Sequence, residues 1–235
     1  MAVTAPAASI GPFVQIFPTL SLGIAGSGNP PPVLDAFIGP AIKFTATSTN
    51  ITFSGLPNST QSTCTLAAIL VVTSTNVATK YFCSTTGNNV TSAYNLLIST
   101  AALEAKGGGT TLNPSITLVA GHSYFVAMSM KSGNSQAIAV DLRTGQVLTG
   151  SSATTYTASG GNGVFEIGAG GATTTASNTE IAAIAWSTAY LSAAQLAAWG
   201  ADPWSFWYPP RQIAIGSVIA AGPTLNVPRR MFLRR

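Results

Sequence analysis

Of the chain's 235 residues only 7% are charged, while 54 are Ser or Thr, 23 are Gly and 14 are Pro; ordinary soluble domains carry about 25% charge. So little charge excludes coiled coils and long solvated helices, whose outer faces need Glu, Lys and Arg. A net charge of +4 with 9% aromatic residues excludes charge-driven disorder, and the length is enough for one large all-β domain with a buried core.

The mean hydropathy of +0.37 does not carry a membrane reading. The longest apolar runs, near 66–72 and 213–221, fall well short of the ~20 residues of a spanning helix, and the regular aromatic girdles of a membrane barrel are missing. The start, MAVTAPAASIGPF, has neither a basic segment nor a continuous apolar one, so no signal peptide is expected. Charge is segregated. Residues 1–210 hold five bases (Lys43, Lys80, Lys106, Lys131, Arg143) against six acids, a net of −1. The last 25 residues hold Arg211, Arg229, Arg230, Arg234 and Arg235 with no acid, a net of +5. This basic stretch contains no nucleic-acid-binding module, and it reads as a tail docking on an acidic protein surface.

Residues 1–35 are rich in Pro and Gly and read as an extended N-terminal arm. From 41 onward, Ile42, Phe44, Ile51 and Phe53 alternate with Lys43, Thr45 and Thr52, the period of half-buried strands. The run at 66–72 is that of a fully buried strand. Further strands are expected at 80–84, 94–99, 116–119, 124–130, 136–142, 147–149, 164–167 and 181–186, separated by Gly, Asn and Ser turn signals. Many short strands of Thr and Val suggest a sandwich or jelly roll. Phe44, Phe53, Leu70, Phe125, Val140, Ile167, Ile184 and Trp186 are its expected inward residues. Cys64 and Cys83 fall on consecutive strands, which reads as one hairpin carrying two small buried thiols. One helix is expected near 192–200: Ser192 with Gln195 forms a capping box, and Gly200 ends it.

The segment 181–207, IAAIAWSTAYLSAAQLAAWGADPWSFW, resembles the ending of laminin-G-like, concanavalin A-like jelly rolls of the phage-encoded type. Trp186 stands at the inward aromatic of the late strand, LSAAQL at 191–196 at the short helix, and DPWSF at 202–206 at the closing motif. Upstream, AIKF at 41–44, the strand at 64–73, the hairpin region at 124–148 and the strand at 164–168 follow the same order. The resemblance implies a two-sheet antiparallel jelly-roll sandwich over 36–207, with one short C-terminal helix and extended termini. It further implies a phage virion structural protein. The chain departs from the pattern at Ser123-Tyr-Phe125 and at 141–145, and it lacks the carboxylate cluster through which calcium-dependent members bind glycans.

The six acids, Asp35, Glu104, Asp141, Glu166, Glu180 and Asp202, are scattered. Glycoside hydrolysis needs two carboxylates about 5–10 Å apart, and no strand presents such a row, so no enzyme is expected. His122, the sole histidine, sits in a turn without a nucleophile motif. No metal and no cofactor are expected. The expected function is a capsid-decoration or tail-associated virion subunit, made in the host cytoplasm and homo-oligomeric. It would attach to major capsid or tail subunits through the tail at 208–235: Arg211, Ile213, Ile215, Arg229, Arg230, Phe232, Arg234 and Arg235. The alternative is a lectin-like module binding a host surface glycan, with Trp204, Trp207 and Tyr208 as stacking rings.

Overall fold

A computed structural model describes residues 13–16, 32–35, 38–44, 51–54, 60–73, 79–85, 94–160, 164–168 and 179–204. Its strands, in chain order, are β1 (Phe13–Ile16), β2 (Pro32–Asp35), β3 (Gly39–Phe44), β4 (Ile51–Ser54), β5 (Thr60–Gln61), β6 (Thr63–Val72), β7 (Lys80–Ser84) and β8 (Tyr94–Ser99). There follow β9 (Ala102–Gly107), β10 (Thr110–Thr117), β11 (Ser123–Lys131), β12 (Ser135–Asp141), β13 (Val147–Ser152), β14 (Ser159–Gly160), β15 (Val164–Ile167) and β16 (Thr179–Ser187). One helix, α1 (Ala193–Ala201), completes the set. The pairings among these strands are antiparallel.

The large sheet runs β13-β12-β11-β6-β16-β3-β2, with β1 also on β16. The small sheet runs β10-β9-β8-β7-β15-β4, and β14 and β5 form a separate ribbon. This is the all-β, two-sheet architecture expected, with its one short helix. Two pieces of the segment read as an arm, β1 and β2, pair with the large sheet.

Strand β6 explains why its sequence, TCTLAAILVV, is apolar without alternation. Cys64, Leu66, Ala68, Leu70 and Val72 enter the core between the sheets. Ala67, Ile69 and Val71 enter a second cluster with Leu196 and Trp199 of α1. Both faces are therefore covered, and a strand covered on both faces loses its polar positions. The same geometry corrects two expectations. Phe125 and Val140 face the helix and not the inter-sheet core, whereas Phe44, Leu70, Ile167, Ile184 and Trp186 do face that core. The side chain of Phe53 lies outside the described residues.

The helix starts as its sequence dictates. Ser192 accepts from the Gln195 N–H, and the Gln195 side chain returns to the Ser192 N–H, closing the capping box. Ser129 Oγ accepts the Leu191 N–H at 2.6 Å and Thr65 Oγ1 donates to the Ala189 carbonyl at 2.7 Å, which ties the approach to α1 to the sheet. Gly200 does not end the helix. It lies inside the last turn, the C-cap is Asp202, and a Cβ on Gly200 would meet Ile138 Cδ1 at 2.6 Å.

Cys64 and Cys83 are free and buried. They do not share a hairpin: β6 belongs to the large sheet and β7 to the small one. Both thiols enter the core between the sheets. Strand β9, ALEAKG, was not expected, since Ala, Glu and Lys are poor strand formers. It forms because β8 and β10 flank it on both edges. Among the described residues no helix is long and apolar enough to cross a membrane.

Candidate ligand-binding site

The small sheet places two transverse rows of side chains one residue apart. The first joins Ile167 to Cys83, Leu96, Ala105 and Leu112 in register across β15, β7, β8, β9 and β10, and all five are in the inter-sheet core. One residue along, the register joins Glu166 to Ser84, Asn95, Lys106 and Thr111. Because side chains alternate across a strand, this second row points away from the core. Every member is polar.

The row is graded in depth. Glu166 is 4% exposed and Ser84 and Asn95 are 0% exposed. Lys106 is half-buried and Thr111 is exposed. Five strands at a spacing of about 4.8 Å give it a length of roughly 19 Å. Beside it, Tyr81, Leu97 and Glu104 align in a second outward row. Lys106 Nζ donates to Tyr81 Oη at 2.8 Å, with its ammonium 5.4 Å from the ring centroid, so the cation is held in one place. Asn113 Nδ2 donates to Glu104 Oε1 at 3.4 Å. Burial pushes the Glu104 carboxyl above its ordinary range, and the Lys106 ammonium pulls part of the way back.

The Asn95 carboxamide is the chemically unusual member. Neither Nδ2 nor Oδ1 has a hydrogen-bond partner among the described residues. Buried amides are nearly always paired, so this one marks the centre of the row. Only the row's open end, Lys106 and Thr111, is accessible, and there an ammonium and a hydroxyl on a rigid sheet can hydrogen-bond a polyhydroxylated ligand.

Of the residues singled out from sequence, Trp204 packs, partly buried, against the cluster of Leu196 and Trp199. Trp207, Tyr208 and the tail residues Arg211, Ile213, Ile215, Arg229, Arg230, Phe232, Arg234 and Arg235 lie outside the described residues. Glu166 and Glu180 do not face one another. Glu180 is beside Lys43 in register on the large sheet and meets its Nζ at 3.0 Å. His122 is more than a turn residue. Its Nδ1 lies 2.6 Å from Asp141 Oδ2 and its ring stacks on Tyr124. Asp141 Oδ1 accepts the N–H groups of Arg143 and Thr144 at 2.8 and 3.2 Å. The polar row itself was missed in the sequence, where its members read as ordinary positions of separate strands.

No family model and no curated protein matches the chain. Solved structures do. The enzymatically active domain of tailspike protein 2 from bacteriophage CBA120 aligns with a TM-score of 0.53 and 15% identity, over 75% of this chain and 30% of that one. The binding domain of botulinum neurotoxin serotype D aligns at 0.51 and 11%, over 75% and 46%. A Trypanosoma rangeli sialidase aligns at 0.47 and 14%, over 69% and 27%. The chain spans less than half the length of each of these proteins. At such identities the likeness is one of fold: a β-sandwich of a kind that occurs in a phage tailspike.

This likeness corrects one expectation. An enzymatic role was excluded because the carboxylates are scattered along the sequence. A tailspike domain that is enzymatically active contains this fold over 30% of its length, so the fold occurs within an enzyme and the expectation of no activity is not upheld. Glu104 and Glu166 share the outward face of the small sheet, but three strand spacings, about 14 Å, separate them.

Proposed function

We propose that this chain is a glycan-contacting module of a phage particle, tail-associated, which meets its ligand on the outward face of the small sheet. The observation that carries the reading is the unbroken polar row Glu166–Ser84–Asn95–Lys106–Thr111 on five adjacent strands. The accessible end of the row, half-buried Lys106 and exposed Thr111, is where a ligand would meet it. The fold's occurrence in a phage tailspike and in a neurotoxin binding domain supports the same direction. The segregation of five Arg in the last 25 residues supports anchorage to other virion proteins through residues 208–235.

The test is binding of the purified chain to surface polysaccharide extracted from host cells, followed by tryptophan fluorescence or calorimetry. Saturable binding weakened by Lys106→Met or Thr111→Val is the expected result. Saturable binding untouched by both substitutions, or no binding at millimolar sugar, overturns the reading. Deleting 208–235 is expected to leave the sandwich folded and glycan-competent while removing the protein from assembled particles.

A further inference from the structure

We propose that Glu104 and Lys106 act as one acceptor–donor pair that grips two adjacent hydroxyls of a neutral hexose at the open β9–β10 edge of the small sheet. The inference rests on the glycan-binding reading above and names the chemistry at its accessible end.

Three observations carry it. Glu104 and Lys106 are two apart on β9, so they share its outward face at a spacing of about 7 Å, and both are half-buried and not closed off. Opposite charges so placed attract, yet among the described residues the ion pairs are Lys43–Glu180 and His122–Asp141. Each of the two is held by a neutral partner instead. Lys106 Nζ donates to Tyr81 Oη at 2.8 Å and stands 5.4 Å from the ring centroid. Asn113 Nδ2 donates to Glu104 Oε1 at 3.4 Å. Asn113 is itself aimed. The β9–β10 register shifts between Leu112 and Ile116, and Asn113 Oδ1 accepts the Ser115 N–H at 2.7 Å, with Ser115 in the left-handed region at φ 62°. Bulges re-aim side chains in this way.

The unused capacity defines the ligand. An ammonium has three donors, of which Tyr81 takes one; a carboxylate has two acceptor oxygens, of which Asn113 engages one. Free donors therefore stand beside a free acceptor. A sugar diol fits that set: one hydroxyl accepts from Lys106 and its neighbour donates to Glu104. Two hydrogen bonds of about 2.8 Å each and the width of the diol bridge the gap. A carboxylate on the ligand would satisfy Lys106 but bring like charge against Glu104. Thr111, exposed and in register with Lys106, offers a hydroxyl beside them.

Glu104 accepts in this way only when ionised. Burial raises its carboxyl and Lys106 on the same strand lowers it in part. Leu97 of β8 and Asn113 of β10, which face it, carry no charge, and the Tyr81 phenol of β7 is held by Lys106. Affinity should therefore fall on acidification, at a pH above the value of about 4.3 for an ordinary glutamate.

The experiment uses the full chain on an array of neutral and acidic oligosaccharides, then calorimetry with the tightest neutral one and its singly deoxygenated analogues. Loss of affinity at two neighbouring positions is expected; loss at none, or only at positions that are not adjacent, overturns the diol. Glu104→Gln keeps the volume and replaces one acceptor oxygen by a donor. It is expected to weaken binding roughly tenfold, the scale of one charge-assisted hydrogen bond, and to abolish the acid-side loss. Tyr81→Phe keeps both binding groups but releases Lys106 toward Glu104. It is expected to weaken binding in a way that added salt partly reverses by screening the new ion pair, which a merely structural tyrosine would not show. Should either variant fail to fold, the wild-type pH series decides: affinity that is flat in acid overturns the role of Glu104. Binding weakened by Lys106→Met but unchanged in Glu104→Gln overturns the pair and leaves the glycan-binding reading standing. Preference for the acidic series overturns the neutral chemistry alone. Absence of binding to every oligosaccharide overturns both the pair and the reading.

Discussion

Gly200 of α1 lies so close to Ile138 of β12 that a Cβ at position 200 would stand 2.6 Å from Ile138 Cδ1 and 3.1 Å from Val140 Cγ2. The missing side chain lets the last turn rest directly on the sheet and lets Trp199 reach Phe125 at a ring-centroid distance of 5.1 Å. Gly200→Ala should therefore destabilise the fold by about 1–3 kcal/mol through overpacking, despite alanine's better helix propensity. Chemical denaturation checks it, and a neutral or stabilising result contradicts the close contact.

Asp141 supports stability at neutral pH. Burial raises its carboxyl, but the hydrogen bonds from His122 and from the N–H groups of Arg143 and Thr144 outweigh it, leaving the net value below the ordinary carboxylate range. A group depressed in the folded state stabilises above its unfolded value of about 3.9 and loses that contribution as pH falls through the folded value. The wild type should lose stability below about pH 5 by this route. Asp141→Asn should be less stable at pH 7 by about 2 kcal/mol and show a shallower acid slope. Denaturation midpoints from pH 3 to pH 8 for both proteins test the sign.

Cys64 and Cys83 should be silent toward thiol reagents in the native state. Burial pushes Cys83 up to about 12 and holds Cys64 well above the ordinary thiol range, the latter assisted by the neighbouring Cys83 charge. The thiolate is the reactive form. A colorimetric disulfide reagent at pH 8 should modify neither residue on the folded protein and both after denaturation. Rapid native labelling would mean that the two sheets separate on that timescale.

The β8–β9 hairpin carries avoidable strain. Ser99 pairs with Ala102, leaving a two-residue turn in which Thr100 and Ala101 have φ of 46° and 69°. The next hairpin meets the same demand with Gly108 and Gly109, at 56° and 82°. Turns of this hand favour Asn-Gly. Thr100→Asn combined with Ala101→Gly should add about 1 kcal/mol of stability, read as a higher denaturant midpoint with unchanged slope.

Much of the sandwich was legible because its causes are local. The unalternating run at 66–72 announces a strand covered on both faces, and Ser192 with Gln195 announces the start of α1. Strand β9 was illegible for the converse reason: its residues have no strand preference, and its neighbours impose the conformation. Gly200 looked like a helix stop because glycine serves both as terminator and as contact point. Only the packing of Ile138 against it tells the two apart.

The sequence alone determined an all-β chain with a single capped helix and a segregated basic end, because alternation, turn residues and charge order are properties of short windows. The tertiary structure alone decided that Phe125 and Val140 face the helix, that Cys64 and Cys83 stand on different sheets, and that Glu166, Ser84, Asn95, Lys106 and Thr111 form one row. The physical reason is register. A strand's own residues fix which side chains alternate, but strand order and hydrogen-bonded alignment choose which distant residues become neighbours, and a shift of one position would turn this row into the core.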